Sequence, residues 1–431
     1  MTHVFWRKPD GRPYKGRDGK FAPTALLAEI GSTATLDPQG GVSWKGLNIP
    51  LRLEPAILES TSVVDSDDNE INSADASSII WPAILETIKK SGGGRPLKPA
   101  EVIARANRDA TSYFRRPSRK FVILTSLSVS SFPQKQISLR DCSITPMKMR
   151  GKRYPYPEAL KFQAAGTPVE GHLASSKYLF VKVVTTARTE WQALENALES
   201  IHFLRGIWML IATYGSWSLF SGLPTRRPVG IIHVGPIHTV HHQDGRLATD
   251  TYWYEPGFTG DQRLFSPVKG WAKIEDQRRK AARSIKRLPY RHDIEQLVIR
   301  YALALDESNL NVAFLHLWGI LEKVTDTVGG NYDETIRRAT RLDPEREAAS
   351  ETLRALRCRR NRVVHGGDSS EEREHIVYMI KSFVDPHLVH LIQNEPRVNS
   401  LQEYGEYLAV SRTPPAPREY PPPATLRCPV L

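Results

Sequence analysis

Cysteine is scarce: Cys142, Cys358 and Cys428 are the three in 431 residues, far apart, with no CxxC pair and no Cys/His ligand spacing. That scarcity argues against a disulfide framework and a cysteine-built zinc site, and it fits a reducing cytoplasm. The start, "MTHVFWRKPDGRPYKGRDGK", lacks the apolar core of a signal peptide and is too rich in glycine and proline for a transit helix. Secretion is not expected. Internal repeats are lacking too, and hydrophobic residues at 40% with charged residues at 25% leave no general bias toward disorder.

Long uncharged runs are equally scarce. One, "GIWMLIATYGSWSLFSGLP" from Gly206 to Pro224, needs weighing as a membrane span, but Gly215, Ser216, Ser218 and Gly222 make it a poor one. Its apolar pattern begins upstream, at Leu194, Leu198, Ile201, Leu204, Trp208 and Ile211, with helical spacing and with Glu195 and Glu199 outside the stripe. A buried helix near Thr189–Tyr214 is expected, and no membrane partner.

The chain does carry positive charge, formally +12, which favours contact with a polyanion such as nucleic acid or an anionic membrane surface. Its length allows two or three domains. Residues 1 to about 40 read as a loose start, Val63–Ser78 as a polar acidic loop and Ser91–Pro99 as a flexible break. Strand-like alternation follows in Lys120–Phe132, Gln136–Pro146 and Ser176–Ala187, and Asp244-Gly245 marks a hairpin turn within Gly230–Tyr254.

From about Asp276 the period becomes helical, predicting helices near Arg291–Asp306, Asn309–Thr327, Tyr332–Thr340, Pro344–His365 and Ser370–Ile392. The expected class is α+β. A mixed α/β N-terminal domain over residues 1–275 precedes an all-α bundle over 276–395 and a Pro-rich, disordered tail over 396–431.

Within that bundle, "LRCRRNRVVHGG" (356–367) is the stretch that asks for chemistry. On a helix, Leu353, Leu356, Val363 and Val364 share one apolar stripe with Arg360 in its middle, while Arg354, Arg359 and Arg362 point outward. Asn361 and His365 are four apart on the flank of that face. A guanidinium on an apolar face costs several kcal/mol unless it is paired or lies at an interface. Pairing with a buried acid such as Glu322 is the plain structural solution. His365 sits in the last turn, where the negative end of the helix favours its protonated form, and Gly366-Gly367 looks like the cap.

Arg360-Asn361-x-x-x-His365, preceded by the amphipathic "AFLHLWGILEKV" (Ala313–Val324) and followed by another long helix, resembles the HEPN superfamily, most of all its Apea-like branch, over roughly residues 285–395. The toxin-type pattern continues His-x-Tyr, whereas here Gly366-Gly367 follow. The resemblance implies a metal-independent endoribonuclease without cofactors, dimeric through the helical domain, with paired arginines and histidines lining one cleft. Arg360 would bind the scissile phosphate, His365 would move a proton, and Asn361 would orient either; attack by a ribose 2′-OH would leave a cyclic phosphate.

Arg357 and Arg362, with Arg278, Arg279 and Arg283 of "EDQRRKAARSIKR", are the candidate RNA-binding residues, and the basic, aromatic "YFRRPSRK" (Tyr113–Lys120) reads as a solvated loop. By the same resemblance the setting is bacterial anti-phage or stress defence, with a phage-derived or nucleotide trigger at the N-terminal domain. The alternative is a non-catalytic HEPN module that binds RNA or a protein partner. His233, His238, His241 and His242 lack carboxylates or cysteines at ligand spacing, so no metal is expected.

Overall fold

The computed structural model describes residues 3–16, 20–44, 48–66, 68–147, 156, 177–214, 229–255, 258, 263–267, 270–366 and 374–410. The class is α+β, and the chain forms two compact units, one of residues 1–121 with 186–195 and the other of 122–185 with 196–431. This division differs from the expected boundary at residue 275: the helical part shares a unit with the large sheet.

The first unit is ordered where a loose start and an acidic loop were expected. It contains β1 (Val4–Arg7), β2 (Pro13–Tyr14), α1 (Thr24–Thr33), β3 (Ala34–Leu36), β4 (Val42–Trp44), α2 (Asn48–Glu59), β5 (Thr61–Val63), α3 (Ser73–Ser91) and α4 (Pro99–Arg115). Strand β1 is central in the sheet β2-β1-β5, and Val4, Trp6, Ile30, Ile57, Ile84 and Ala106 are among the side chains of one core. Helix α3 starts inside the expected loop because Asn72 caps it, its side chain accepting from the Asp75 amide at 2.8 Å. It ends at Gly92, whose φ of 80° is the left-handed closure that glycine permits. The "YFRRPSRK" stretch is not a loop throughout: Tyr113 is buried on α4 and donates to Asp75 at 2.8 Å, while Arg119 opens the next strand and pairs with Glu190.

The chain continues through β6 (Arg119–Leu127), β7 (Ile137–Leu139), β8 (Cys142–Pro146), β9 (Leu179–Ala187), α5 (Glu190–Thr213), β10 (Ile237–His242) and β11 (Trp253–Tyr254). The sheet order is β11-β10-β6-β9-β8-β7. The expected single strand at Gln136–Pro146 is a hairpin, with Leu139 opposite Cys142 and Arg140 and Asp141 both at positive φ, as a two-residue turn of matching twist requires. The Asp244-Gly245 turn forms as expected, Gly245 at φ 93° and the His242 amide donating to Arg246 O at 2.8 Å.

Helix α5 buries Ile201, Leu204 and Trp208 and closes at Thr213. Residues 215–224 of the apolar run lie outside the described residues; among the described residues no helix is long and apolar enough to cross a membrane. The helices that follow are α6 (Trp271–Ile285), α7 (Arg291–Asp306), α8 (Leu310–Val324), α9 (Tyr332–Ala339), α10 (Arg346–Gly366), α11 (Glu374–Gln393) and α12 (Leu401–Val410). Asn309 and Asn331 cap α8 and α9, which is why these two starts were readable. Central α8 packs on α7 and α11, and α10 on α9 and α11.

The expected tail does not begin at 396. Leu401, Tyr404 and Leu408 bury one face of α12 against the bundle, and the remaining 411–431 lie outside the described residues. At Gly206, α5 and α7 approach so closely that an added Cβ would lie 2.6 Å from Val298 O. Gly206→Ala should therefore cost about 1–3 kcal/mol by forcing the helices apart, read as a lower thermal midpoint with unchanged helix content. An unaltered midpoint would show that this contact yields without cost.

Candidate functional site

Helix α10 buries Ala349, Leu353 and Leu356, a line that advances about 3.6 residues per turn and reaches next a point between 359 and 360. Arg359 takes the buried place, at 9% exposure, with Nη2 donating to Asn311 Oδ1 of α8 at 2.8 Å. This corrects the expectation that Arg359 points outward: an amide carbonyl on the neighbouring helix accepts what solvent would otherwise take.

Arg360 is half-buried, its guanidinium 5.1 Å from the Tyr332 ring centroid, and its Nη1 lies at the long distance of 3.5 Å from Asn361 Oδ1. Glu322, the acid expected as its plain partner, accepts instead from Trp318 Nε1 at 2.8 Å. Arg357, one turn earlier, is also 5.1 Å from the Tyr332 centroid and pairs with Asp333 at 2.8 Å. Two cations thus share one aromatic ring, a cation–π arrangement that keeps both heads on the surface of α10.

Beyond Leu356 the apolar stripe emerges from the bundle. Val363 is half-buried and Val364 is 45% exposed, where a continuous buried stripe was expected. His365 belongs to the last turn of α10; its side chain and Gly367 lie outside the described residues. Arg362 is exposed.

The other expected RNA-binding residues lie on α6. Arg279 and Arg283 are exposed, with Arg283 Nε donating to Arg279 O at 3.3 Å. No hydrogen bond or ion pair joins them to α10 among the described residues. Arg278 is withdrawn from the expected RNA surface: it is buried and held by Glu275 at 2.9 Å, and the same carboxylate accepts from Trp208 Nε1 at 2.6 Å. A basic run read along the chain does not reveal which member the helix turns inward.

The histidines enter hydrogen bonds within the sheet and its flanking helix. His233 Nδ1 is 3.1 Å from Asp306 Oδ1, His238 Nε2 is 3.0 Å from Glu255 Oε1, and His241 is bonded to Gly245 O and Thr239. Among the described residues no group of three or more such side chains is placed to hold a metal ion. Beside them the fully buried Arg205 pairs with Asp306 at 2.5 Å and donates to His202 Nδ1 at 3.0 Å and to Ile232 O at 3.1 Å. Composition gave no hint of this network; it needs α5, the Ile232–His233 segment before β10 and the end of α7 in one place.

Burial, then the Arg205 charge, pushes the His202 imidazole down to about 3, and burial pushes His387 on α11 down to about 4. Asp306 is held down at about 2: burial raises it, but Arg205 and His233 together lower it by more. Below its ordinary value of 6.5 each histidine binds a proton in the unfolded chain before it does in the fold, so stability falls as pH drops from about 6.5 toward 4 and 3. Asp306 adds a loss between 3.8 and about 2. Denaturation at pH 7 and near pH 4.5 should therefore differ by roughly 3–5 kcal/mol. Equal stability at both would contradict buried neutral histidines.

Tyr332, Asp333 and Asn311 are the site residues that sequence reasoning missed. The Asn331 cap located Tyr332 at the start of a helix, but nothing in the spacing put its ring beneath two arginines. No family model matches the chain, and neither a curated protein nor a solved structure matches it.

Proposed function

We propose that the helical part of this chain is a metal-independent endoribonuclease of HEPN type that works as a homodimer in the cytoplasm, in anti-phage or stress defence. One observation carries the reading: half-exposed Arg360 lies beside Arg357 on the Tyr332 ring, at the end of α10 where the apolar face emerges with Val364 exposed. A second copy covering that face would bring two such arginines, and the two His365, around one phosphate.

In that cleft the planar Arg360 fork binds the scissile phosphate and stabilises the charge that builds on its oxygens. His365 takes the proton from the attacking 2′-OH or gives one to the leaving 5′-oxygen, and Asn361 orients the phosphate or the imidazole. The P–O5′ bond breaks as the P–O2′ bond forms, which requires RNA and leaves a 2′,3′-cyclic phosphate. Arg357, Arg362, Arg279 and Arg283 supply phosphate contacts along the strand.

The purified chain should cut mixed RNA in excess EDTA, with cyclic phosphate at the new ends. Cleavage that needs added magnesium would count against the chemistry. A second, non-catalytic reading as a module that binds RNA or a protein partner is favoured by the Arg357–Asp333 pair at 2.8 Å, which occupies one arginine structurally. It predicts RNA or protein binding with no cleavage under any condition.

A further inference from the structure

A cavity of about 440 Å³ lies between α9, α10 and α12, well along α10 from Arg360. Arg337, Arg341, Arg346 and Arg354 line it, with Asp333 the one carboxylate among the described lining residues. The charges are not equally engaged. Arg337 is held by Glu334 at 2.6 Å, Arg354 by Glu351 at 2.5 Å, and Asp333 by Arg357 at 2.8 Å. Arg346 differs: its Nη2 is buried and has no hydrogen-bond partner among the described residues. Arg341, 5% exposed, feels both its burial and the Arg346 charge, which together lower its pKa.

Two arginines in one cavity repel each other, and a buried guanidinium nitrogen without an acceptor costs free energy. Native chains retain such a donor where something supplies the acceptor. An oxyanion between Arg341 and Arg346 would relieve both costs, and a phosphate fits best because its oxygens match the planar fork. Ser350, also in the wall, adds a hydroxyl.

The position of the cavity says what carries that phosphate. On α10, Arg346, Ser350, Arg354, Arg357 and Asn361 fall within an arc of about 80° at 3.6 residues per turn, forming one polar stripe. The stripe runs from the cavity to the Arg360/Asn361 end, and Arg346 and Arg360 are about 21 Å apart along the helix axis. We infer that the cavity holds a backbone phosphate of a single-stranded RNA lying along α10, several nucleotides from the bond at Arg360. This rests on the RNA reading above but not on cleavage, because the cavity and stripe are binding features.

Fluorescence anisotropy of a labelled single-stranded RNA of about twelve nucleotides, with the full-length protein in EDTA, tests it. Arg346→Ala should weaken binding by about tenfold and reduce the slope of log K against log salt by about 0.7, one phosphate contact on a single strand. Arg354→Ala, on an exposed side chain held by Glu351, should shift the salt slope the same way. Inorganic phosphate and AMP, titrated by calorimetry, separate the sources. If either binds in an Arg346-dependent manner while the RNA ignores both substitutions, the cavity serves a free phosphate and the strand proposal fails. It fails equally if both variants bind RNA like the wild type. RNA binding that depends on Arg346 in a protein that never cuts would uphold the cavity while removing the nuclease reading.

Discussion

Arg360→Ala and His365→Ala should each lower RNA cleavage by several orders of magnitude while leaving the fold in place. A phosphate clamp or a proton carrier lost from the transition state costs roughly 3–5 kcal/mol, and Arg360 does not support the core in the way Arg359 does. Arg360 is half-buried over Tyr332, so its removal exposes one ring face and opens no cavity in the bundle. Arg359→Ala makes the contrast, since it strips Asn311 Oδ1 of its donor and should lower the thermal midpoint first and activity only as a consequence. Melting curves beside the RNA assay separate the two. If Arg360→Ala melted early and cleavage survived in the folded fraction, Arg360 would be structural and the catalytic assignment wrong.

Arg205→Ala should be among the most destabilising single substitutions in the second unit. It removes a fully buried guanidinium from Asp306, His202 and the Ile232 carbonyl at once, leaving a carboxylate that the fold holds ionised. Breaking one side of such a pair costs about 3–5 kcal/mol. The companion Arg205→Met with Asp306→Asn should recover much of the loss, because no unpaired charge then remains. A midpoint equal to wild type in Arg205→Ala would show that water reaches Asp306 and that the pair contributes little.

The helices from Arg291 to Gln393 were legible because they carry a 3.6-residue apolar period and readable boundaries, Asn309 and Asn331 as caps and Asp and Gly between helices, whereas α12 lay hidden in what read as a Pro-rich tail. The first unit hid its order for equally physical reasons. Its strands are two to four residues long, too short for alternation to show, and α3 contains Pro82, which reads as a breaker. At the candidate site the helix and its arginines were visible, but the inward member was not. The choice of 359 over 360 was made by Asn311, forty-eight residues away in sequence. The same blindness placed Arg278 on a surface that Glu275 and Trp208 in fact bury.

The proposed chemistry turns on attack by a ribose 2′-OH at a phosphate held by Arg360. It is tested most directly by offering the purified protein, in excess EDTA, one single-stranded oligonucleotide as RNA and the same sequence with every 2′-OH replaced by hydrogen. The RNA should be cut to 2′,3′-cyclic phosphate ends, and the deoxy strand should stay intact under the same conditions. Cleavage of both strands, or cleavage of RNA that leaves a 3′-hydroxyl, would contradict it.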